Sequence, residues 1–361
     1  MSDTMLDGYF ARLHGDRPEF TAAIASWRDE LGPELERRED HRKAVVNKAI
    51  KQTAITGAII LGLIWFVLVI ILKNTEMVFF MTFAGIMLTA LASSIFWLPV
   101  MTMKSQTKEL IVGAACKPFG FSYETLHMDV SGVEGVRGLG SWIKKNASSL
   151  NNKPAPPTEA FDVLAGGGLM PSYDTRKFED MIIGTRAGAD FSLVECKLTE
   201  TQGSGKNRRT VTKFQGLLVH VQYPDKFLGR TLIARDGWWK RGKQVSGLTK
   251  VDLVSKELED AFTVYSNDQV EARSLLTPDR MERLIALERH FKGGKLRGVF
   301  DAGHLTIALE AKDQFEAGSV FKTLVDPTRY VQTLIEIGLL CDLIDGFLTR
   351  DWYKQKLFQG N

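Results

Sequence analysis

At 361 residues, 44% of them hydrophobic and 25% charged, the chain is long enough for two ordinary domains and has the make-up of a folded protein, which excludes disordered and collagen-like classes. The net charge of +3 is spread evenly: residues 1–52 hold nine Lys/Arg against ten Asp/Glu, and residues 104–361 hold 36 against 32. Neither part is basic enough for a nucleic-acid binder, so nucleic acid is not an expected partner.

The chain opens with Tyr9, Phe10, Leu13, Phe20, Ile24 and Trp27, whose spacing predicts a helix with one apolar face. That face would pack on the C-terminal part of the protein or lie at a lipid surface. Gly32-Pro33 predicts a break. The run Glu34 to Lys51 mixes helix formers with opposite charges at short range, the pattern of a solvated helical stalk.

Between Gln52 and Leu72, and again from Met77 to Met103, no charged residue occurs. Ala54–Leu72 has 19 residues, which at about 1.5 Å rise each covers a hydrocarbon core of about 30 Å. The second run is longer than needed, so it tilts or leaves its last turns, around Trp97 and Pro99, in the interfacial zone. Only Lys73, Asn74, Thr75 and Glu76 separate the two runs, which therefore predict an antiparallel membrane hairpin.

Flanking charge sets its orientation, because Lys and Arg resist translocation. Arg42, Lys43, Lys48 and Lys51 precede the first run, Lys104, Lys108 and Lys117 follow the second, and the tip carries Lys73 alone. Both ends are expected in the cytoplasm, as in a multi-pass protein of the bacterial inner membrane. More than fifty mostly polar residues before the first run argue against a cleaved signal peptide. Small residues (Gly57, Ala58, Gly62; Ala84, Gly85, Ala90, Ala92) permit close helix approach, either within the hairpin or between copies in a homo-oligomer. Neither run has an ionisable residue, which disfavours a transport path.

Ser105 to Cys116 reads as a helix, and residues 131–158, rich in Gly, Asn, Ser and Pro, read as a linker. Its glycines, Gly132, Gly135, Gly138 and Gly140, lack the GxxxxGK[ST] pattern of a phosphate loop. Further on, strand-like alternation occurs at Met181–Gly184, Phe191–Leu198, Phe214–Tyr223, Thr231–Ala234, Phe262–Tyr265 and His304–Ala308, with hairpin-sized connections that imply antiparallel pairing. Asp268 and Glu271 have capping-box spacing, and Thr277-Pro278 and Asp326-Pro327 each predict a helix start. The first of these helices would bury Met281, Leu284, Leu287 and Phe291, ending at Gly293-Gly294; the second would bury Val331, Leu334, Ile335, Leu339 and Leu343. The fold class is therefore α+β: an N-terminal two-helix transmembrane hairpin, then a mixed domain with an antiparallel sheet and packed helices. The expected divisions are a cytosolic helical segment and stalk (1–52), the hairpin (53–103), a juxtamembrane helix and linker (104–160) and a cytosolic α+β domain (161–361).

The segments LMPSYDTRKFEDMIIGTRAG (169–188), KFQGLLVHV (213–221) and VYSNDQVEARSLLTPDRMERL (264–284) resemble the bacterial family known as domain of unknown function 3137. The resemblance covers roughly residues 105–350. It implies a membrane-associated bacterial protein, often with two spans ahead of a cytosolic domain, without established activity or catalytic residues to carry over.

Chemistry-bearing constellations are sparse. Asp180 followed by Glu195-Cys196-Lys197 is similar to the D…ExK arrangement of metal-dependent nucleases, in which two carboxylates hold Mg²⁺ and the Lys steadies phosphate charge. With a two-residue turn at Gly188-Ala189, Asp180 would oppose Lys197 and Ile182 would oppose Glu195, placing all three polar side chains on one face; an ordinary cross-strand ion pair uses the same geometry. The six histidines show no HExxH or HxH pairing, and His220 and His304 are expected as solvated surface residues. Three cysteines, Cys116, Cys196 and Cys341, without a CxxC pair, read as reduced, buried thiols. No metal site and no cofactor are expected.

Trp238, Trp239, Lys240 and Arg241, beside turn residues, join Trp97 as membrane-interface candidates, with packing of the two indoles on the sheet as the alternative. The terminal Trp352 to Phe358 would cap the core, touch lipid or bind a partner. Together these features favour a membrane-anchored cytosolic binding or regulatory module that meets a protein partner or the membrane surface. The alternative is a hydrolase acting through Asp180, Glu195 and Lys197.

Overall fold

The computed structural model describes residues 3–13, 17–71, 77–129, 158–223, 229–235, 247–253, 256–291, 295–311, 315, 319 and 321–348. They form two units, one from Met1–Pro118 with Glu316–Leu334 and one from Phe119–Phe315 with Ile335–Asn361.

In the first unit, helices α1 (Asp3–Phe10) and α2 (Pro18–Ser26) precede a long helix, α3 (Gly32–Trp65). The break expected at Gly32-Pro33 does not occur. A widened turn over Trp27–Leu31 links α2 to α3, and the Gly32 N–H donates to the carbonyl of Trp27, five residues back. Pro33 then sits in the first turn of α3, where its missing N–H is tolerated. The helical path runs on through a second widened turn, Phe66–Ile71. Helix α4 (Val78–Cys116) contains the second apolar run and the helix expected at 105–116 as one rod.

The spacing of Tyr9 to Trp27 predicts one helix, but the chain forms two, with Leu13 beyond the end of α1 and Trp27 in the widened turn after α2; Phe10, Phe20 and Trp27 are buried, whereas Tyr9, Leu13 and Ile24 are half-buried. Trp27 is buried, with Phe10 at 6.3 Å and Tyr330 at 5.2 Å between ring centroids, and the Tyr330 hydroxyl donates to the Ala23 carbonyl at 3.0 Å. The partner is the returning segment Glu316–Leu334.

In the second unit, nine strands among the described residues make one antiparallel sheet: β1 (Ser122–Asp129), β2 (Thr175–Arg186), β3 (Ala189–Gln202), β4 (Arg209–Gln222), β5 (Thr231–Arg235), β6 (Thr249–Val251), β7 (Phe262–Ser266), β8 (Arg297–Asp301) and β9 (His304–Glu310). Their spatial order is β1-β2-β3-β4-β9-β8-β5-β7-β6. The helices are α5 (Thr158–Gly166), α6 (Lys256–Ala261), α7 (Gln269–Leu275), α8 (Pro278–His290) and α9 (Thr328–Leu348), the last beginning in the first unit. One sheet face buries Phe178, Val194, Cys196, Phe214 and Leu218 with Phe161 and Leu164 of α5. The opposite face lays Leu193, Leu217 and Val219 near Leu287 of α8 and Leu340 of α9.

The β2–β3 turn is Ala187-Gly188, one residue earlier than expected, because both of its residues adopt positive φ (49° and 85°) and Gly188 takes the second place. Ala302-Gly303 repeats the device between β8 and β9, with φ of 51° and 90°.

Helix starts were largely legible. Asp268 accepts from the N–H groups of Val270 and Glu271, its own N–H donates to Ser266 Oγ at 3.0 Å, and the Glu271 carboxylate accepts from the Gly229 N–H at 2.6 Å. Thr277 makes no side-chain cap, leaving Pro278 as the start signal, and the Gly293-Gly294 end lies outside the described residues. Met281, Leu284, Leu287 and Phe291 are buried. Helix α9 buries Val331, Leu334 and Leu343, but Ile335 and Leu339 are only half-buried, while Tyr330, Ile337, Cys341 and Ile344 are covered too. Its first turns belong to one unit and the rest to the other, so a single apolar stripe does not describe it.

Candidate membrane-contact site

Helices α3 and α4 are long and apolar enough to cross a membrane. In their most apolar stretches only 6% and 11% of residues are buried, whereas the core helix of a soluble domain would be mostly covered. Ile59, Leu63, Phe79, Phe83, Leu91 and Ile95 all stand exposed, forming an uncovered apolar band.

The two helices meet antiparallel along a line of small side chains. A Cβ added to Gly57 would come 3.2 Å from Thr89 Cγ2, and one added to Gly85 would come 2.5 Å from Ile64 Cδ1. These glycines are therefore used inside the hairpin, as one reading of the small residues expects, whereas Gly62 faces open space. The tip, Lys73 to Glu76, lies outside the described residues.

At the end away from the tip, Val46, Ala49 and Val100 close a small core against Trp97. The Trp97 indole N–H donates to Thr53 Oγ1 at 3.2 Å, and its ring meets Phe321 edge to face at 6.0 Å. Phe321 is 63% exposed, an apolar side chain beside Lys322 that the sequence reading missed. Of the flanking cations, Lys43, Lys48 and Lys51 are exposed, but Arg42 is buried and held by Glu39 at 2.7 and 2.9 Å. Glu39 also accepts from the Leu324 N–H at 3.0 Å. The Arg42 hydrogen bond holds the Glu39 carboxyl below the usual carboxylate range, against the opposing effect of burial, and Glu39 in turn raises the Arg42 guanidinium.

The other interface candidates, Trp238, Trp239, Lys240 and Arg241, lie outside the described residues, as do the glycine-rich linker and Trp352 to Phe358. Arg235, the last residue of β5, is paired with Glu288 and lies 4.8 Å from the Phe262 ring centroid.

Asp180, Glu195 and Lys197 do not take the expected register. A bulge between Phe178 and Met181 shifts the pairing, so that Lys197 opposes Lys177 and the two residues Glu179 and Asp180 stand across from Glu195. Strand alternation still puts Asp180, Glu195 and Lys197 on one face, but it is not a solvated one: Asp180 is 0% and Glu195 4% exposed. The Tyr123 hydroxyl donates to Asp180 Oδ1 at 2.6 Å. Neither carboxylate has surface to offer a substrate in this arrangement. Among the described residues, no group of three or more His, Cys, Asp or Glu is placed to hold a metal ion.

His220 and His304 are half-buried rather than solvated. The β4–β9 register sets His220 across from Thr306 and Gln222 across from His304, so the two rings become diagonal neighbours and stack at 4.9 Å. His220 Nδ1 lies 2.9 Å from the Thr306 hydroxyl. All three cysteines are buried thiols outside any disulfide.

Residues 212–348 match the family described as "Protein of unknown function (DUF3137)", a span that includes the segments 213–221 and 264–284 and leaves 169–188 outside. No curated protein matches the chain. Among solved structures, the mycobacterial trehalose monomycolate transport factor A, TtfA, aligns at 9% identity over 66% of this chain and 94% of that one, with a TM-score of 0.29. That superposition is too loose to transfer fold detail or activity.

Proposed function

From the assignment to the DUF3137 family that the match over residues 212–348 supports, we propose that the chain is a membrane-anchored binding or regulatory module of the bacterial inner membrane. The hairpin of α3 and α4 crosses the bilayer, both ends face the cytoplasm, and the α+β unit meets a protein partner there. The observation that carries this reading is the uncovered apolar band, bounded at one end by Trp97, Phe321 and a set of lysines. Tethering raises the effective concentration of the second unit for other membrane components. The hydrolase reading has less support, because Asp180 and Glu195 are buried.

Carbonate extraction of cells expressing the full chain tests the anchor: the chain is expected in the pellet until detergent is added, and its appearance in the supernatant would remove the reading. Crosslinking with mass spectrometry in native membranes then tests the partner. Recurrent crosslinks from the α+β unit to another membrane-associated protein are expected; an exported C-terminal reporter, or crosslinks to external proteins alone, would contradict it.

A further inference from the structure

The chain comes back to the first unit with Glu316–Leu334, and part of that segment is arranged around one side chain. The Lys322 N–H donates to the Ser319 carbonyl at 3.0 Å and the Phe321 N–H to Ser319 Oγ at 3.3 Å, closing a tight turn with Phe321 in its third place. Just beyond, the Leu324 N–H donates to Glu39 Oε2 at 3.0 Å and pins the segment to α3. The turn holds Phe321 out at 63% exposure, with Lys322 and Thr323 exposed beside it.

A single exposed phenylalanine needs no explanation on a protein surface. This one is continuous with other uncovered apolar side chains: its ring meets Trp97 edge to face, and Met101, one turn along the same face of α4, is 64% exposed. Trp97 also fixes the corresponding level on α3, since its indole N–H reaches Thr53. Lys51 and Lys48, both exposed, come two and five residues before Thr53, about 3 Å and 8 Å further out along the helix. Apolar rings and cations therefore follow the order of a leaflet, acyl boundary first and head groups outside it.

We infer that Phe321 is a third point of membrane contact, a peg set into the acyl boundary of a leaflet that carries anionic phospholipid, with Lys322, Lys51 and Lys48 meeting its phosphate groups. The peg rests on the membrane-spanning reading of α3 and α4, and it gives the lipid at their cytoplasmic end a chemical class. A second copy of the chain fits less well, because a two-fold contact through Phe321 would set the same lysines of both copies against each other. An anionic bilayer surface brings the opposite charge, and each lysine near it gains from its negative potential.

The test uses the full chain in lipid vesicles, with a bimane fluorophore on one introduced thiol at a time; the three native cysteines are buried. The labelled positions are Ile95, 66% exposed in the apolar run, Phe321, and Asp40, whose side chain is 94% exposed on the stalk. Brominated lipid quenches a fluorophore that touches it. Ile95→Cys and Phe321→Cys should both be quenched, and Asp40→Cys should not. Brominated phosphatidylglycerol should quench Phe321→Cys about twofold to fivefold more than brominated phosphatidylcholine at equal mole fraction, the scale of one lysine at an anionic surface. Salt at about 1 M, or Lys322→Gln, should shrink that preference. Quenching at Phe321→Cys no stronger than at Asp40→Cys overturns the peg, and equal quenching by the two lipids overturns the anionic class. A blue-shifted but unquenched Phe321→Cys would put the position in a protein pocket, such as one on a second copy, and also overturn the peg. Ile95→Cys separates the two failures: if it is quenched while Phe321→Cys is not, the peg alone falls, whereas if neither is quenched the anchor and the peg fall together.

Discussion

The Trp97 indole N–H donates to Thr53 Oγ1 at 3.2 Å, joining the exit of one apolar run to the entry of the other across 44 residues. The same ring leans on Phe321, so one side chain ties together α3, α4 and the returning segment. Trp97→Phe keeps the ring and loses the donor, and is expected to cost about 0.5–1 kcal/mol. Trp97→Ala removes both and should cost about 1–3 kcal/mol. Thermal unfolding of the full chain in detergent ranks the two; identical melting would show that the ring contributes nothing beyond its hydrogen bond.

Native thiols offer a silent background for mapping topology. Cys116, Cys196 and Cys341 are buried, and burial pushes the Cys196 thiol well above its ordinary range, away from the reactive thiolate. The folded chain should therefore resist maleimide until denatured. On that background, Asn74→Cys should react with an impermeant maleimide added to intact spheroplasts, and Ser105→Cys only after permeabilisation. The reverse pattern would turn the hairpin over.

The two Ala-Gly turns hold alanine at positive φ, 49° at Ala187 and 51° at Ala302. Asparagine tolerates that region better and is favoured at the first position of such turns. Ala187→Asn and Ala302→Asn should each stabilise the second unit by about 0.4–1 kcal/mol, additively because they sit in separate hairpins. Chemical denaturation of the single and double variants checks this, and a loss of stability at either site would contradict the turn geometry.

Glu39 gives a pH signature. Its folded-state carboxyl lies below the unfolded value of 4.5, chiefly through the Arg42 hydrogen bond. An acid lowered on folding stabilises fully above its unfolded value, and that contribution disappears as pH falls through the folded one. The melting difference between wild type and Glu39→Gln should therefore be present at neutral pH and vanish on acidification below 4.5, read from Trp27 fluorescence beside Tyr330. A difference that persists in acid would place the effect of the substitution elsewhere.

Much of the architecture can be read from the chain, and the misses have local causes. The charge-free runs and the mixed-charge stalk point to α3 and α4 because a long apolar helix needs no knowledge of its neighbours. Gly32-Pro33 misleads because a widened turn absorbs the proline. Strand β8 escapes because it is covered on both faces and buries Arg297, with Glu310 as its ion pair, inside what should read as an apolar run. The Asp180 register depends on a bulge that one strand alone does not announce. Phe321 is a lone aromatic in a glycine- and lysine-containing stretch, and only its position beside Trp97 gives it meaning.

The Tyr330 hydroxyl reaches Ala23 across 307 positions, and the Leu324 N–H reaches Glu39 across 285. During synthesis, then, the hairpin emerges and can insert long before Trp27 and Glu39 meet the strand of chain that covers them. A truncation ending anywhere between residues 119 and 315 would leave the stalk with a bare aromatic patch and an unfilled carboxylate contact. Quality-control proteases would meet that surface on every stalled or shortened product, while only a nearly finished polypeptide conceals it.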